Sequence, residues 1–468
     1  MHPSLAADRD HLPALIALAS AYATAVLEHL DPAPVAVPPR AHAAATLTPA
    51  GIGAQETLRR FSETVAPSLS ASAGPRFLGF VTGGTTPAAL IGDWLAAVFD
   101  QNPVSRLDGA TALQLERDTV MMLRTLFGLP VAFAGSFVSG ATMSNFVGLA
   151  LAREWAGRAH DIRVSDEGLG ALPRIEIFAA TPHSSTTKAL SMLGLGRSAW
   201  QKVACLPDRE AMDMAALERQ LIGAAGPCVV IASAGTVNTG DFDDFGELAR
   251  LKERHRFWLH VDAAFGGFAS LSPVLQPLLE GWDCADSICI DLHKWLNVPY
   301  DSAVAFTRHR DLQADVFSNF SAYLGRSTED PEPIHLVPEN SHRWRALPAW
   351  FSLTAYGAEG HREIVERDCA LARELSERIQ RSELFDLLAP VRLNIVCFAL
   401  RRRDLTEKLV AAVLDTGLTF VTPTVLHGRA AIRAAFSSWR TTERDLDTIW
   451  EALVVAAERL CRTEPQPC

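Results

Sequence analysis

The chain has 468 residues, of which 48% are hydrophobic and 21% charged, and a net charge of −11 at pH 7. That length suits more than one domain around a large core, and the composition is that of a globular protein rather than a disordered or fibrous one. The acidic balance argues against a nucleic-acid binder or a basic membrane-surface protein, but leaves the sign of a small substrate open.

The eight cysteines show no CxxC and no metal-ligand spacing, so they read as reduced cytoplasmic thiols rather than a disulfide framework. Residues 1–30 predict helix. Residues 12–27 are rich in Ala and Leu, follow Asp8, Arg9 and Asp10 rather than a basic segment, and are shorter than a membrane span. This predicts an amphipathic or buried helix, not a signal peptide. Pro and Ala crowd residues 31–53, as in an extended connector. Residues 1–74 thus form an arm that either packs on a second subunit or frays.

Residues 75–87 form a Gly- and Thr-rich turn between apolar helices. Short β-rich runs then alternate with helical stretches, at 133–138, 175–180, 203–206, 228–233, 257–261, 287–290 and 303–307. Several are apolar on both faces, which predicts a mostly parallel sheet covered by helices: an α/β, doubly wound large domain over 75–350. Residues 330–340 form a loop with three prolines and three acidic residues. Strand–helix alternation at 391–400, 405–416, 420–422, 431–436 and 442–461 predicts a smaller α+β domain over 351–468.

Four features fall at predicted strand ends, where ligands bind in such sheets. Ser139-Gly-Ala-Thr142 joins a strand to a helix, and its backbone N–H groups and hydroxyls can cradle a phosphate. Alone, it is more often a plain N-capped helix. His183 follows a strand and can stack on a flat ring or act as acid or base; alone, a loop histidine is more often merely solvated. Asp262, in His260-Val-Asp-Ala-Ala264, can hold a proton on a pyridine nitrogen or can cap the next helix. Lys294, in Asp291-Leu-His-Lys-Trp295, sits at a strand end beside an aromatic side chain, where desolvation favours a nucleophilic amine. His293 beside it is a possible phosphate contact. Together these supply what pyridoxal 5'-phosphate needs: an amine, a carboxylate, a ring stacker and a phosphate nest.

In these motifs the sequence resembles the group II pyridoxal-phosphate-dependent amino-acid decarboxylases, the family of aromatic-amino-acid and glutamate decarboxylases. The likeness spans roughly residues 70–460 and rests above all on His293-Lys-Trp295, with Pro75-Arg-Phe-Leu-Gly-Phe80, His183-Ser-Ser185, Ala234-Gly-Thr236 and Ser341-His-Arg-Trp-Arg345. The resemblance implies a fold-type I architecture and a homodimer with its sites at the interface. It implies that Lys294 forms the Schiff base, Asp262 pairs with the pyridine nitrogen, His183 stacks on the ring and Ala264 packs on its other face. Ser139, Ala141, Thr142 and His293 then hold the phosphate, Thr236 lies near the ring substituents, and Phe80, Val81 and Thr82 line the substrate side-chain pocket.

The pattern departs from the family in two places. The loop tyrosine that returns a proton to the substrate carbon has no counterpart among Ile334, His335, Leu336 and Val337, and Tyr323 falls early in the loop. His335 or Tyr323 is the candidate replacement; with neither, the resemblance implies oxygen-dependent aldehyde formation or another carbon–carbon lyase step. The family's usual asparagine at position 291 is here an aspartate. Phe80 and Val81 favour an aromatic or apolar substrate, whereas an acidic one wants an arginine such as Arg76. The reading is therefore an amino-acid decarboxylase, with the aldehyde synthase as alternative. A non-catalytic cofactor binder is disfavoured by the intact Lys294, Asp262 and His183.

Overall fold

A computed structural model of the chain describes residues 1–37, 46–47, 49–319 and 330–463. Seven strands form the larger sheet: β1 Ala134–Val138, β2 Glu176–Ala179, β3 Trp200–Lys202, β4 Cys228–Ser233, β5 Phe257–Asp262, β6 Ser287–Asp291 and β7 Ala303–Thr307. Strands β4 to β7 are buried along their whole length, which is why they read as continuous rather than alternating apolar runs. The order is β1-β7-β6-β5-β4-β2-β3. Strands β2 to β6 pair in parallel, and β7 runs antiparallel between β6 and β1. The carboxyl ends of β1, β2, β4, β5 and β6 therefore share one edge of the sheet.

The third strand lies a few residues before its expected place at 203–206. Val203 still donates its N–H to Ala179 O at 2.8 Å, but Leu206 turns back to Ala211 O at 2.9 Å and Cys205 bridges Met212. A local turn has claimed these backbone groups.

The second sheet is antiparallel, in the order β10-β11-β9-β8, from β8 Phe385–Leu387, β9 Ile395–Leu400, β10 Thr422–Leu426 and β11 Arg429–Ala435. Phe385, Phe398, Leu409 and Ile449 share its core. The helix Ala346–Arg381 serves both cores, with Leu347 and Val365 in the larger and Leu371 and Ile379 in the smaller. The division expected after residue 350 falls inside this helix. Leu78 also belongs to the smaller core: Phe77 stacks on Phe420 at 4.5 Å, and Leu78 N donates to Phe420 O at 2.9 Å. The chain thus enters the site at Phe80 from the smaller sheet.

The helices Pro3–Asp10 and Leu12–Glu28 bury no residue. No single helix among the described residues is long and apolar enough to cross a membrane.

Candidate active site

The shared sheet edge opens into a cavity of about 220 Å³. Of the residues singled out in the sequence, Lys294, Asp262, His183 and Thr236 line it, each from just beyond or at the end of a different strand. Ala264, His293, Phe80 and Val81 complete that set. Thr82, Ser139, Ala141 and Thr142 do not border the cavity. Thr82 is buried, with its hydroxyl on Gly79 O at 3.4 Å.

The Ser139–Thr142 turn stands behind His293: a Cβ added at Gly140 would lie 3.3 Å from His293 Cε1. Gly140 begins the helix Ala141–Arg158 without a side-chain cap. Met143 N and Ser144 N donate to Gly140 O, which leaves the N–H groups of Ala141 and Thr142 without an intrahelical acceptor and available to an anion.

Lys294 sits on the single helical turn Leu292–Trp295, which Ser302 O secures by accepting from Leu292 N at 3.0 Å and His293 N at 3.1 Å. The Lys294 Nζ lies 5.7 Å from the Phe265 ring centre. Phe265, which lines the cavity, is the aromatic neighbour of the amine. Trp295 is buried, and its indole donates to Asp368 Oδ2 at 2.7 Å, making it an anchor for the turn. Burial holds the Asp368 carboxyl well above the usual carboxylate range, against that hydrogen bond.

Asp291 is buried and faces both of its basic neighbours. Its Oδ2 is 3.5 Å from Lys294 Nζ, and its Oδ1 is 3.1 Å from His293 Nε2, although the latter angle does not make a hydrogen bond. His293 Nδ1 accepts from Ser302 N at 3.3 Å, which leaves the ring proton on Nε2, the side of Asp291. The aspartate at this position is a counterion to the lysine.

Asp262 accepts from Ala264 N at 3.2 Å and from Asn145 Nδ2 at 3.0 Å. Among the described residues no cation stands within ion-pair distance of it, although it borders the cavity. His183 accepts from Ser185 N at 3.2 Å and so caps the helix Ser184–Met192; burial pushes its imidazole below the ordinary value, partly offset by Asp262. Thr236 donates its hydroxyl to Glu210 Oε2 at 2.6 Å.

Sequence reasoning gave no role to Arg433 or Tyr300, which also line the cavity. Arg433, on β11, is buried and donates to Val237 O at 2.6 Å and Phe80 O at 3.1 Å, with no carboxylate in ion-pair range among the described residues. Tyr300 leans on His293, with ring centres 4.2 Å apart and the ring planes tilted by 38°. The signal for Tyr300 was present in the scarcity of tyrosine, four in the chain, with this one six residues after the lysine. His335 is buried, accepts from Asn319 N at 3.1 Å and does not line the cavity. Tyr323 lies outside the described residues.

Residues 51–401 match the family model described as the pyridoxal-dependent decarboxylase conserved domain. An aromatic-L-amino-acid decarboxylase of Bacillus atrophaeus is 29% identical over 408 residues, covering 84% of this chain and 83% of the relative. A 3,4-dihydroxyphenylacetaldehyde synthase of Drosophila melanogaster is 25% identical, covering 85% of this chain and 81% of the relative. The crystal structure of Oryza sativa TDC with PLP and tryptamine superposes with a TM-score of 0.89 at 22% identity, over 96% of this chain and 98% of that one.

Proposed function

The chain belongs to the pyridoxal-dependent decarboxylase family, and on that footing we propose that it decarboxylates an aromatic L-amino acid to the corresponding amine. Its cofactor is pyridoxal 5'-phosphate. The observation that carries the reading is the convergence of Lys294, Asp262 and His183 on one cavity that also has apolar walls, Phe80, Val81 and Phe265, and one buried guanidinium, Arg433. The donor set fits the cofactor: an amine, a carboxylate facing the cavity without a cation, and an uncapped helix start behind His293.

The chemistry that pyridoxal phosphate supplies when bound is a sink for the electron pair left as carbon dioxide departs. Lys294 supplies the amine that holds the cofactor's aldehyde, with Asp291 as its counterion in the resting site. Asp262 would hold a proton on the cofactor's ring nitrogen. His183 would lie against the ring, Thr236 beside its substituents, and Ser139, Ala141, Thr142 and His293 would hold the phosphate. Arg433 is the cation available to the substrate carboxylate, and Phe80 and Val81 favour an aromatic or apolar side chain. Tyr300 gives its phenolic proton to the substrate carbon and recovers it from solvent.

A homodimer completes the molecule in this reading. Exposed apolar residues on the helix Leu12–Glu28, such as Ile16 at 55%, and on the helix Pro87–Phe99, such as Val98 at 70%, support burial against a second copy. A cytoplasmic location agrees with the seven described cysteines, all free thiols.

The second reading, an oxygen-dependent aldehyde synthase, is favoured by one observation: residues 330–337 contain no tyrosine. One experiment separates the two. Purified protein is incubated with a panel of amino acids, and amine, aldehyde and peroxide are quantified. Aromatic amines that vanish in Lys294→Ala are expected. Aldehyde with peroxide and no amine establishes the second reading, and turnover of acidic amino acids alone overturns the substrate class.

A further inference from the structure

Behind Asp262 and His183 runs a chain of hydrogen bonds, buried from Trp258 as far as Ser185, that fixes its own polarity atom by atom. The Trp258 indole, which only donates, reaches Ser287 Oγ at 3.0 Å. Ser287 Oγ lies 2.8 Å from His260 Nδ1, and His260 Nε2 lies 2.8 Å from Asn145 Oδ1. Asn145 Nδ2 then serves two acceptors, Asp262 Oδ2 at 3.0 Å and Ser185 Oγ at 3.1 Å. Ser185 Oγ is 2.7 Å from His183 Nδ1.

The Asp262 carboxylate decides the Asn145 amide orientation, because the flipped amide would set its oxygen against a carboxylate oxygen. Asn145 Oδ1 therefore faces His260 and must accept, so His260 carries its proton on Nε2. Both Asn145 and His260 are fully buried, and a neutral imidazole has one N–H. Nδ1 of His260 is thus bare and accepts the Ser287 hydroxyl. At the other end Ser185 Oγ accepts from Asn145 and gives its own proton to His183 Nδ1. The Ser185 backbone N–H, a donor only, points at that same nitrogen. His183 is left with its proton on Nε2.

We infer that Asn145, oriented by His260, is a positioning residue of the cofactor site: one amide group holds Asp262 Oδ2 in place and, through Ser185, fixes His183 as the neutral Nε2–H tautomer. The inference rests on the reading of Asp262 and His183 as the cofactor's partners. It extends that reading to Ser287 on β6, which does not line the cavity. The burial that pushes the His260 imidazole down to about 4 agrees with its neutral role.

The test uses the full-length protein labelled with ¹⁵N-histidine, stripped of cofactor, with the His183 signals assigned by their loss in His183→Gln. At pH 7 the wild-type chain should give an acceptor-type Nδ1 and a protonated Nε2 for His183. A protonated Nδ1, or an imidazolium, overturns the inference whether or not any variant folds. For variants, His260→Gln retains one amide donor and one acceptor and should keep the tautomer and bind pyridoxal phosphate within about threefold of wild type. Asn145→Leu and His260→Leu should each weaken cofactor binding at least tenfold, read from absorbance titration, and release the tautomer. Unchanged affinity and tautomer in both leucine variants contradict the inference. The tautomer measurement needs no cofactor, so its failure is distinct from failure of cofactor capture at Lys294.

Discussion

At the scale of single residues, the cavity combines a few charges with few compensating partners. Lys294 has Asp291, Asp262 has an amide in place of a cation, and Arg433 has backbone carbonyls. Such groups are retained where a ligand completes them. Tyr300 carries the sharpest chemical consequence. Replacing it with Phe removes the proposed proton donor while keeping the ring on His293. Amine formation should fall by about 10²-fold, the typical contribution of a positioned acid, with the aldehyde share rising; an unchanged rate and amine-to-aldehyde ratio exclude the role.

His260 gives a pH signature. Its imidazole is at about 4 in the folded chain, lowered by burial and partly opposed by Asp262, against about 6.5 unfolded. Between those values only the unfolded chain takes up the proton, so stability is full above the upper value and declines as pH falls through the window. Lowering the pH from 7 to 5 should cost wild type about 2 kcal/mol more than His260→Gln in urea titrations. Parallel losses in the two proteins contradict this.

At the scale of elements, the helix Ala141–Arg158 and strands β5 and β6 form the bed of the site. Gly148 lets them meet: a Cβ there would stand 2.6 Å from the His260 ring and 3.0 Å from Ser287 Oγ. The ring is pinned at both nitrogens and cannot step aside. Gly148→Ala should therefore destabilise the protein by about 1–3 kcal/mol and weaken cofactor binding. Gly223→Ala, with nothing within 4 Å, should do neither. Equal effects in a denaturant series would refute the packing account. The strands were legible in the sequence because β4 to β7 are short apolar runs punctuated by chemically distinctive ends, Asp262 and Lys294 among them. The three-residue β8 was hidden between the long helix Ala346–Arg381 and the turn that follows. Arg433 and Asn145 were hidden for a different reason: their partners, Phe80 and Asp262, lie hundreds of residues or several elements away, and linear spacing carries no record of that pairing.

At the scale of the whole molecule, the larger sheet brings Lys294, Asp262 and His183 to the cavity, while the smaller sheet supplies Arg433 and ties down the approach to Phe80. The N-terminal helices bury no residue and leave apolar residues exposed, which agrees with the proposed second copy. Light scattering should give a dimer at micromolar concentration. Ile16→Asp combined with Val98→Asp should shift it toward monomer; a wild-type monomer contradicts the assembly. The central claim is that Lys294 bears the cofactor, and borohydride reduction of the holoenzyme followed by peptide mapping tests it most directly. The account predicts a single pyridoxyl adduct on Lys294, absent from Lys294→Ala; an adduct on another lysine, or none in a protein that has bound the cofactor, would contradict it.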